Sequence, residues 1–143
     1  MLETSQYLVP NTVEHMRYTN DHLGNHFATN RALLAGLKKG FPAVHAFLQR
    51  HGLSTTDLQF LICHTGGPRV MDLVVAALGI DEQMIARSRQ SLRAYGNLSS
   101  VSVLDVLRRV FEHEHPEHGA LGLLLAFGPG STIEMSLLQW QDT

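Results

Sequence analysis

The sequence predicts an α/β domain in which helices cover a mixed sheet. Three observations carry that class. Two continuous apolar runs, Leu58 to Cys63 and Ala120 to Phe127, have the composition of strands buried on both faces. Between them lie segments whose apolar residues recur every three or four positions, as on the inner face of an amphipathic helix. After the second run, Ile133, Met135 and Leu137 alternate with Glu134 and Ser136, the period of a half-buried strand.

Taken in order, Tyr7-Leu8-Val9 reads as a short strand closed by Pro10-Asn11. Thr12 to Asn30 has no clear period; it is expected to be irregular, with one further strand around Phe27. Arg31 to Arg50 carries Leu34, Leu37, Phe41, Val44 and Leu48 on a helical stripe interrupted by Gly40 and Pro42. Either the helix kinks there or two helices abut, because proline cannot donate the ladder hydrogen bond. After the polar connector Thr55-Thr56-Asp57 comes the first apolar strand, then Val70, Leu73, Val74 and Ala77 on a helix ended by Gly79. A second helix, with Asp81 as its N-cap, carries Ile85, Ser88, Leu92 and Tyr95 and ends at Gly96. Ser99 or Ser100 caps a third with Val103, Val106, Leu107 and Val110, ending before Pro116. The last two strands are joined by Gly128-Pro129-Gly130.

All 143 residues are the length of one ordinary domain, able to bury roughly 68–70% of the unfolded surface, and no repeat or linker divides them. With 44% apolar and 17% charged residues, the composition is that of a folded globular chain. A net charge of −2, with Lys38-Lys39 and Arg108-Arg109 only as pairs, gives no electrostatic case for nucleic acid or an anionic membrane. One cysteine, Cys63, excludes an internal disulfide framework and fits a reducing compartment, so cytoplasm is expected. The N-terminus lacks the pattern of a secretory signal, and no run approaches a membrane span.

The chemistry concentrates where the central strand ends, at Cys63-His64-Thr65-Gly66-Gly67-Pro68. Glycines allow close approach of a long thin ligand to the backbone, and Pro68 suits the first helical turn. Asn97 lies in a helix-to-helix turn, where its amide can donate without competing with a ladder. An imidazole N–H and an amide N–H aimed at one oxygen would form an oxyanion hole. The plain alternatives are a packed structural histidine and a turn asparagine after a helix stop.

Cys63-His64-Thr65-Gly66-Gly67-Pro68, Tyr95-Gly96-Asn97-Leu98-Ser99-Ser100, and Gly128-Pro129-Gly130 followed by Thr132 and Glu134 resemble the C-terminal half of type III polyketide synthases, the chalcone and stilbene synthase family. The resemblance runs from about Gln6 to Gln139 and implies half of a thiolase-like αβαβα fold. It implies that His64 and Asn97 are two of three catalytic residues, stabilising the enolate formed by decarboxylation of malonyl-CoA and the oxyanion of condensation with an acyl-CoA starter. Gly66, Gly67 and Pro68 would line the pantetheine tunnel; Gly128, Pro129 and Gly130, with Phe27, would wall the polyketide cavity. CoA thioesters are then substrates, and no resident cofactor is implied. The family's nucleophilic cysteine and its CoA-gripping basic residues belong to an N-terminal half that this sequence does not contain. Cys63 cannot replace the nucleophile, since it precedes His64 on one strand and points to the other face. Related ketoacyl synthases have a Gln-Ala-Asn type sequence after the histidine, so Thr65-Gly66-Gly67-Pro68 favours the polyketide branch.

The expected partner is the missing N-terminal half or an intact synthase subunit, in a homo- or hetero-oligomer, and the isolated chain is expected not to condense malonyl units. The alternatives are a remnant that binds acyl-CoA or a polyketide without catalysis, and an oligomerisation module. His113, Glu114, His115, Glu117 and His118 suggest a metal cluster, but the His-Glu-x-x-His pattern fails at Glu117 and Pro116 breaks the helix, so no metal is expected. Met71, Met84 and Met135 read as core filler.

Overall fold

A computed structural model describes residues 1–142. Strand β1 (Glu3–Leu8) is followed by a hairpin, β2 (Met16–Asp21) and β3 (Gly24–Thr29), and by helix α1 (Leu33–Gln49). Then come β4 (Phe60–Cys63), α2 (Pro68–Leu78), α3 (Ala86–Tyr95) and α4 (Val101–His113). Strands β5 (Leu121–Gly128) and β6 (Thr132–Gln139) close the chain. The expected mixed sheet is present, ordered β1-β6-β5-β4, with β4 and β5 parallel and the other pairs antiparallel.

Alternation along β4 divides the core in two. Leu61 and Cys63 face α1 and α2, packing with Phe41, Val44, Met71 and Val74. Phe60 and Ile62 face the other way, onto Val106 and Val110 of α4. All four residues of β4 are buried, which is why the sequence shows an unbroken apolar run there. The outer edge of β4 is closed by α3: Ser88 Oγ accepts the Cys63 amide at 3.3 Å.

Several expectations are corrected. Thr12–Asn30 is not irregular: it holds a two-stranded hairpin preceded by a 3-10 turn, Val13–His15. Every residue of β3 and all but the first of β2 are exposed, so burial imposes no alternation. Of the two alternatives at Gly40 and Pro42, two abutting helices are excluded, because α1 runs through both as one helix. Pro42 is tolerated because it and Lys38, whose carbonyl it leaves without a donor, both lie on the solvent side. At Gly40 a β-carbon would overlap the side chains of Ile133 and Val9, so the glycine sets how closely α1 approaches the sheet. Strand β4 begins at Phe60 rather than Leu58, and β1 begins at Glu3 and ends before Val9. The residue preceding α4 is Ser100, but its side chain makes no cap; Ser102 Oγ instead accepts the Leu98 amide at 2.9 Å. Asp81 does cap, taking the Gln83 amide, although a 3-10 turn separates it from α3.

Candidate active site

Parallel pairing fixes where the site lies. Cys63 is opposite Leu125, so the His64 turn leaving β4 and the Gly128-Pro129-Gly130 turn leaving β5 emerge at the same end of the sheet. Carboxyl ends of parallel strands are where open α/β sheets present ligand-binding loops.

His64 extends the ladder by one residue, its amide donating to Leu125 O at 2.8 Å. The alternation that sends Cys63 toward α1 and α2 therefore assigns His64 to the side covered by α4. The imidazole is buried, and that burial lowers its pKa below the ordinary value of 6.5, leaving the ring neutral at neutral pH. A neutral ring carries one N–H donor.

The turn after His64 is shaped by backbone. Gly66 N–H donates to His64 O at 2.9 Å, and Gly67 has φ of +129° and ψ of 164°, a region open essentially to glycine alone. A β-carbon at Gly67 would meet nothing within 4 Å, so the glycine answers to conformation and the space beside it is open. Pro68 opens α2 at its first turn, as expected.

Asn97 sits in the turn between α3 and α4, exposed. Its Oδ1 accepts the Ser99 amide at 2.9 Å, so the carboxamide nitrogen is the end left to meet a ligand. This turn and the His64 turn are joined directly: Thr65, fully buried, donates its hydroxyl to Gly96 O at 3.4 Å. Thr65 entered the sequence reading only as a motif letter; its link to Gly96 is a tertiary contact that no local pattern marks.

Gly130, with φ of +70°, is held by Thr12, whose Oγ1 lies 2.6 Å from Gly130 O and 2.7 Å from Val9 O. Strand β2 touches the Pro129–Ser131 turn, which brings the hairpin bearing Phe27 beside the Gly128-Pro129-Gly130 segment. Phe27 is exposed and tilts against Tyr18 across the hairpin at 5.0 Å. Hollows of about 390 and 400 Å³ lie elsewhere, one around Gln59 and Glu117 and the other around Asp81 and Arg93. Neither touches the His64 or Asn97 turn.

Cys63 is fully buried, and desolvation pushes its thiol up to about 12, with Arg89 only a weak opposing charge. A thiol held protonated is no nucleophile. The members of the histidine and glutamate group go to separate partners. Arg87 Nε donates to Glu114 at 3.1 Å, and His118 lies 3.3 Å from Asp142.

The model of the family described as chalcone and stilbene synthases, C-terminal domain, matches residues 1–140. The chain is similar to a 1,3,6,8-tetrahydroxynaphthalene synthase of Streptomyces coelicolor, 42% identical over 94% of this chain and 36% of that protein. A phloroglucinol synthase of Pseudomonas fluorescens is 33% identical over 96% of this chain and 40% of its own length. The crystal structure of the Streptomyces coelicolor enzyme, described as a bacterial type III polyketide synthase, superposes with a TM-score of 0.92 at 40% identity. It matches 99% of this chain and 40% of its own. A polyketide synthase from the brown alga Ectocarpus siliculosus gives 0.87 at 28% identity, over 96% of this chain and 38% of that one. The chain thus spans roughly two fifths of the length of these relatives. Its fold is thiolase-like, and the chain belongs to the chalcone and stilbene synthase family, as a C-terminal domain of the type III polyketide synthases.

Proposed function

We propose that this domain supplies the oxyanion-stabilising half of an acyltransferase that extends an acyl-CoA starter with malonyl-CoA. The reading rests on one observation above the others: Asn97, with its Oδ1 spent on Ser99, stands in a turn hydrogen-bonded to the turn of a neutral, buried His64. Two neutral donors suit an enolate. When malonyl thioester loses CO2, the electron pair of the broken C–C bond is delocalised onto the thioester oxygen, and N–H groups from His64 and Asn97 would bear that charge. The enolate carbon would then attack a starter thioester held on a cysteine outside this domain, the same donors receiving the tetrahedral oxyanion until it collapses and expels the cysteine thiolate.

Gly66, Gly67 and Pro68 are proposed to border the pantetheine arm, consistent with the open space beside Gly67. Gly128, Pro129, Gly130 and Phe27 are proposed as polyketide walls, CoA thioesters serve as substrates, and no resident cofactor is invoked. The active assembly would pair this domain with an N-terminal half or an intact synthase subunit, in the cytoplasm. Mixing the purified chain with the N-terminal portion of a homologous synthase and following CO2 release from malonyl-CoA tests this. Activity in the mixture, absent from either part and lost in His64→Ala and Asn97→Ala, is expected. Release that is unchanged in both variants would refute the assignment.

A second reading, assembly without catalysis, is favoured by the outward face of α4, where Val101, Leu104 and Phe111 are exposed in a row. Under it, the chain would join an intact synthase without changing its turnover per site.

A further inference from the structure

The strongest unassigned cluster lies where α3 and α4 meet the Asn97 turn. Asp105 on α4 is a hub: its carboxylate accepts Arg109 Nε at 2.7 Å and Arg108 Nη2 at 2.8 Å. The Asp105 and Arg109 side chains are only 11% and 15% exposed, although they sit on a helix with a solvent side. Fixed by that bond, the Arg109 guanidinium lies 5.7 Å from the centroid of the Tyr95 ring. Tyr95 is the last residue of α3, two before Asn97.

From these contacts we infer that the Asp105–Arg109 pair is a positioning clamp for the turn that presents Asn97. The inference rests on the reading of Asn97 as the working donor. One end of the turn is tied to α4 by Ser102, which takes the Leu98 amide, and one side is tied to the His64 turn by Thr65. At the α3 end the only polar tie to another element among the described residues is that long Thr65–Gly96 bond, at 3.4 Å. Gly96 leaves the helix with φ of +73° and ψ of −157°, a conformation that does not hold a chain direction by itself. The Tyr95 ring against Arg109 supplies the third tie, and Asp105 orients the cation that makes it. Asp105, Arg108 and Arg109 form ion pairs within one helix; Arg109 also reaches the last residue of α3, and Asp105 faces the buried Ser91 hydroxyl of that helix. Neither Arg109 nor Asp105 is one of the proposed donors; both act through the turn.

The Ser99 amide gives a direct reading, because its hydrogen bond is to Asn97 Oδ1. In the 15N-labelled chain, amide exchange with solvent is measured at Leu98, Ser99, Val106 and Val110, with Asn97→Ala setting the fully released rate at Ser99. Arg109→Ala should speed exchange at Leu98 and Ser99 by roughly two- to fivefold, the span expected from losing a cation–π contact to a half-exposed ring. Val106 and Val110, in the α4 core, should keep wild-type rates. Arg109→Lys, which keeps a cation within reach of Asp105 and the ring, should restore most of the protection. Tyr95→Phe keeps the ring and should be silent, whereas Tyr95→Leu should match Arg109→Ala.

Wild-type rates at Ser99 in Arg109→Ala and Tyr95→Leu would overturn the clamp, as would Arg109→Lys behaving like Arg109→Ala. If Arg109→Ala loosens Val106 and Val110 equally, Tyr95→Leu decides, since it leaves the Asp105–Arg109 bond intact. A rise confined to Leu98 and Ser99 then upholds the clamp, and wild-type rates refute it. The readout needs no substrate and no second polypeptide. The clamp can therefore fail while Asn97 remains a donor in the reconstituted reaction, and the donor role can fail while the clamp stands.

Discussion

The hydroxyl of Thr65 donates to the carbonyl of Gly96 at 3.4 Å, and this bond ties the residue after His64 to the residue before Asn97. Thr65 has no exposed surface, so removing the hydroxyl leaves the Gly96 carbonyl without that donor. Thr65→Val preserves shape and removes only the bond. At this length the bond belongs at the weak end, and a loss of about 0.5–1 kcal/mol is expected. Denaturant unfolding checks the stability loss, and a larger fall in reconstituted activity than in stability would mark the bond as aligning the donors.

Cys63 should resist alkylation. Its thiol has no exposed surface and a pKa raised to about 12, so thiolate is scarce at neutral pH and a reagent has no route to the sulfur. Iodoacetamide at pH 8 should leave the folded chain unmodified and label it fully in denaturant, as read by mass. A starter acyl group found on Cys63 after incubation with acyl-CoA would contradict this account and the proposed need for an external nucleophile.

His64 makes stability pH-dependent with a defined sign. Burial lowers its folded pKa below the unfolded value near 6.5, so the neutral ring is favoured by folding. That contribution is complete above pH 6.5 and is lost as pH falls through the lower folded value. His64→Gln should flatten this part of the profile, and an NMR titration of the ring should give a midpoint below 6.5. A midpoint above 6.5 would remove the argument for a neutral donor.

Gly67 tests the turn itself. With φ of +129° and no neighbour within 4 Å of an added β-carbon, Gly67→Ala meets no steric block, only backbone strain. A cost of roughly 1–3 kcal/mol is expected. Gly66→Ala differs in kind: its β-carbon would lie 3.2 Å from Val70 Cγ1, so a small shift of that side chain decides its cost. Thermal unfolding of the two variants should place Gly67→Ala well below Gly66→Ala.

What the sequence revealed and hid follows burial. Strand β4 was legible because all four of its residues are buried, and α4 because Val106 and Val110 face the sheet at helical spacing. The β2–β3 hairpin was illegible because nearly every residue in it is exposed, so no face is selected. Within the hairpin, Tyr18 packs against Phe27, Asp21 meets His26 at 2.9 Å and accepts the Leu23 amide in the turn, while its tie to the Pro129–Ser131 turn is a tertiary contact. Pro42 left one helix or two open because its cost depends on whether Lys38 faces solvent, which the stripe alone does not weigh. His64 and Asn97 were singled out by the turns they occupy and by motif resemblance. The ties around them, Thr65 to Gly96 and Arg109 to Tyr95, join segments far apart in sequence and leave no local mark.

Helix α4 has too much apolar surface for one partner. Val106 and Val110 are buried against the sheet with Val103 and Leu107 beside them, yet Val101 and Leu104, the latter 62% exposed, start a second row that ends at half-exposed Phe111, whose ring meets Trp140 at 4.6 Å. Helices apolar on two sides are normally covered on both. The interruption in that row, Arg108, is neutralised by Asp105 and Glu112, so its charge is already paired within the helix. Relatives matched over nearly all of this chain are more than twice as long, and their additional polypeptide is the proposed cover. Alone, the chain should bind a hydrophobic dye and self-associate with rising concentration. Leu104→Glu should suppress both with little change in stability, because the side chain leaves no core position. Adding the N-terminal portion of a homologous synthase should displace the dye from the wild-type chain and have less effect on the variant. A monodisperse monomer at high concentration that binds no dye would show that α4 needs no second partner.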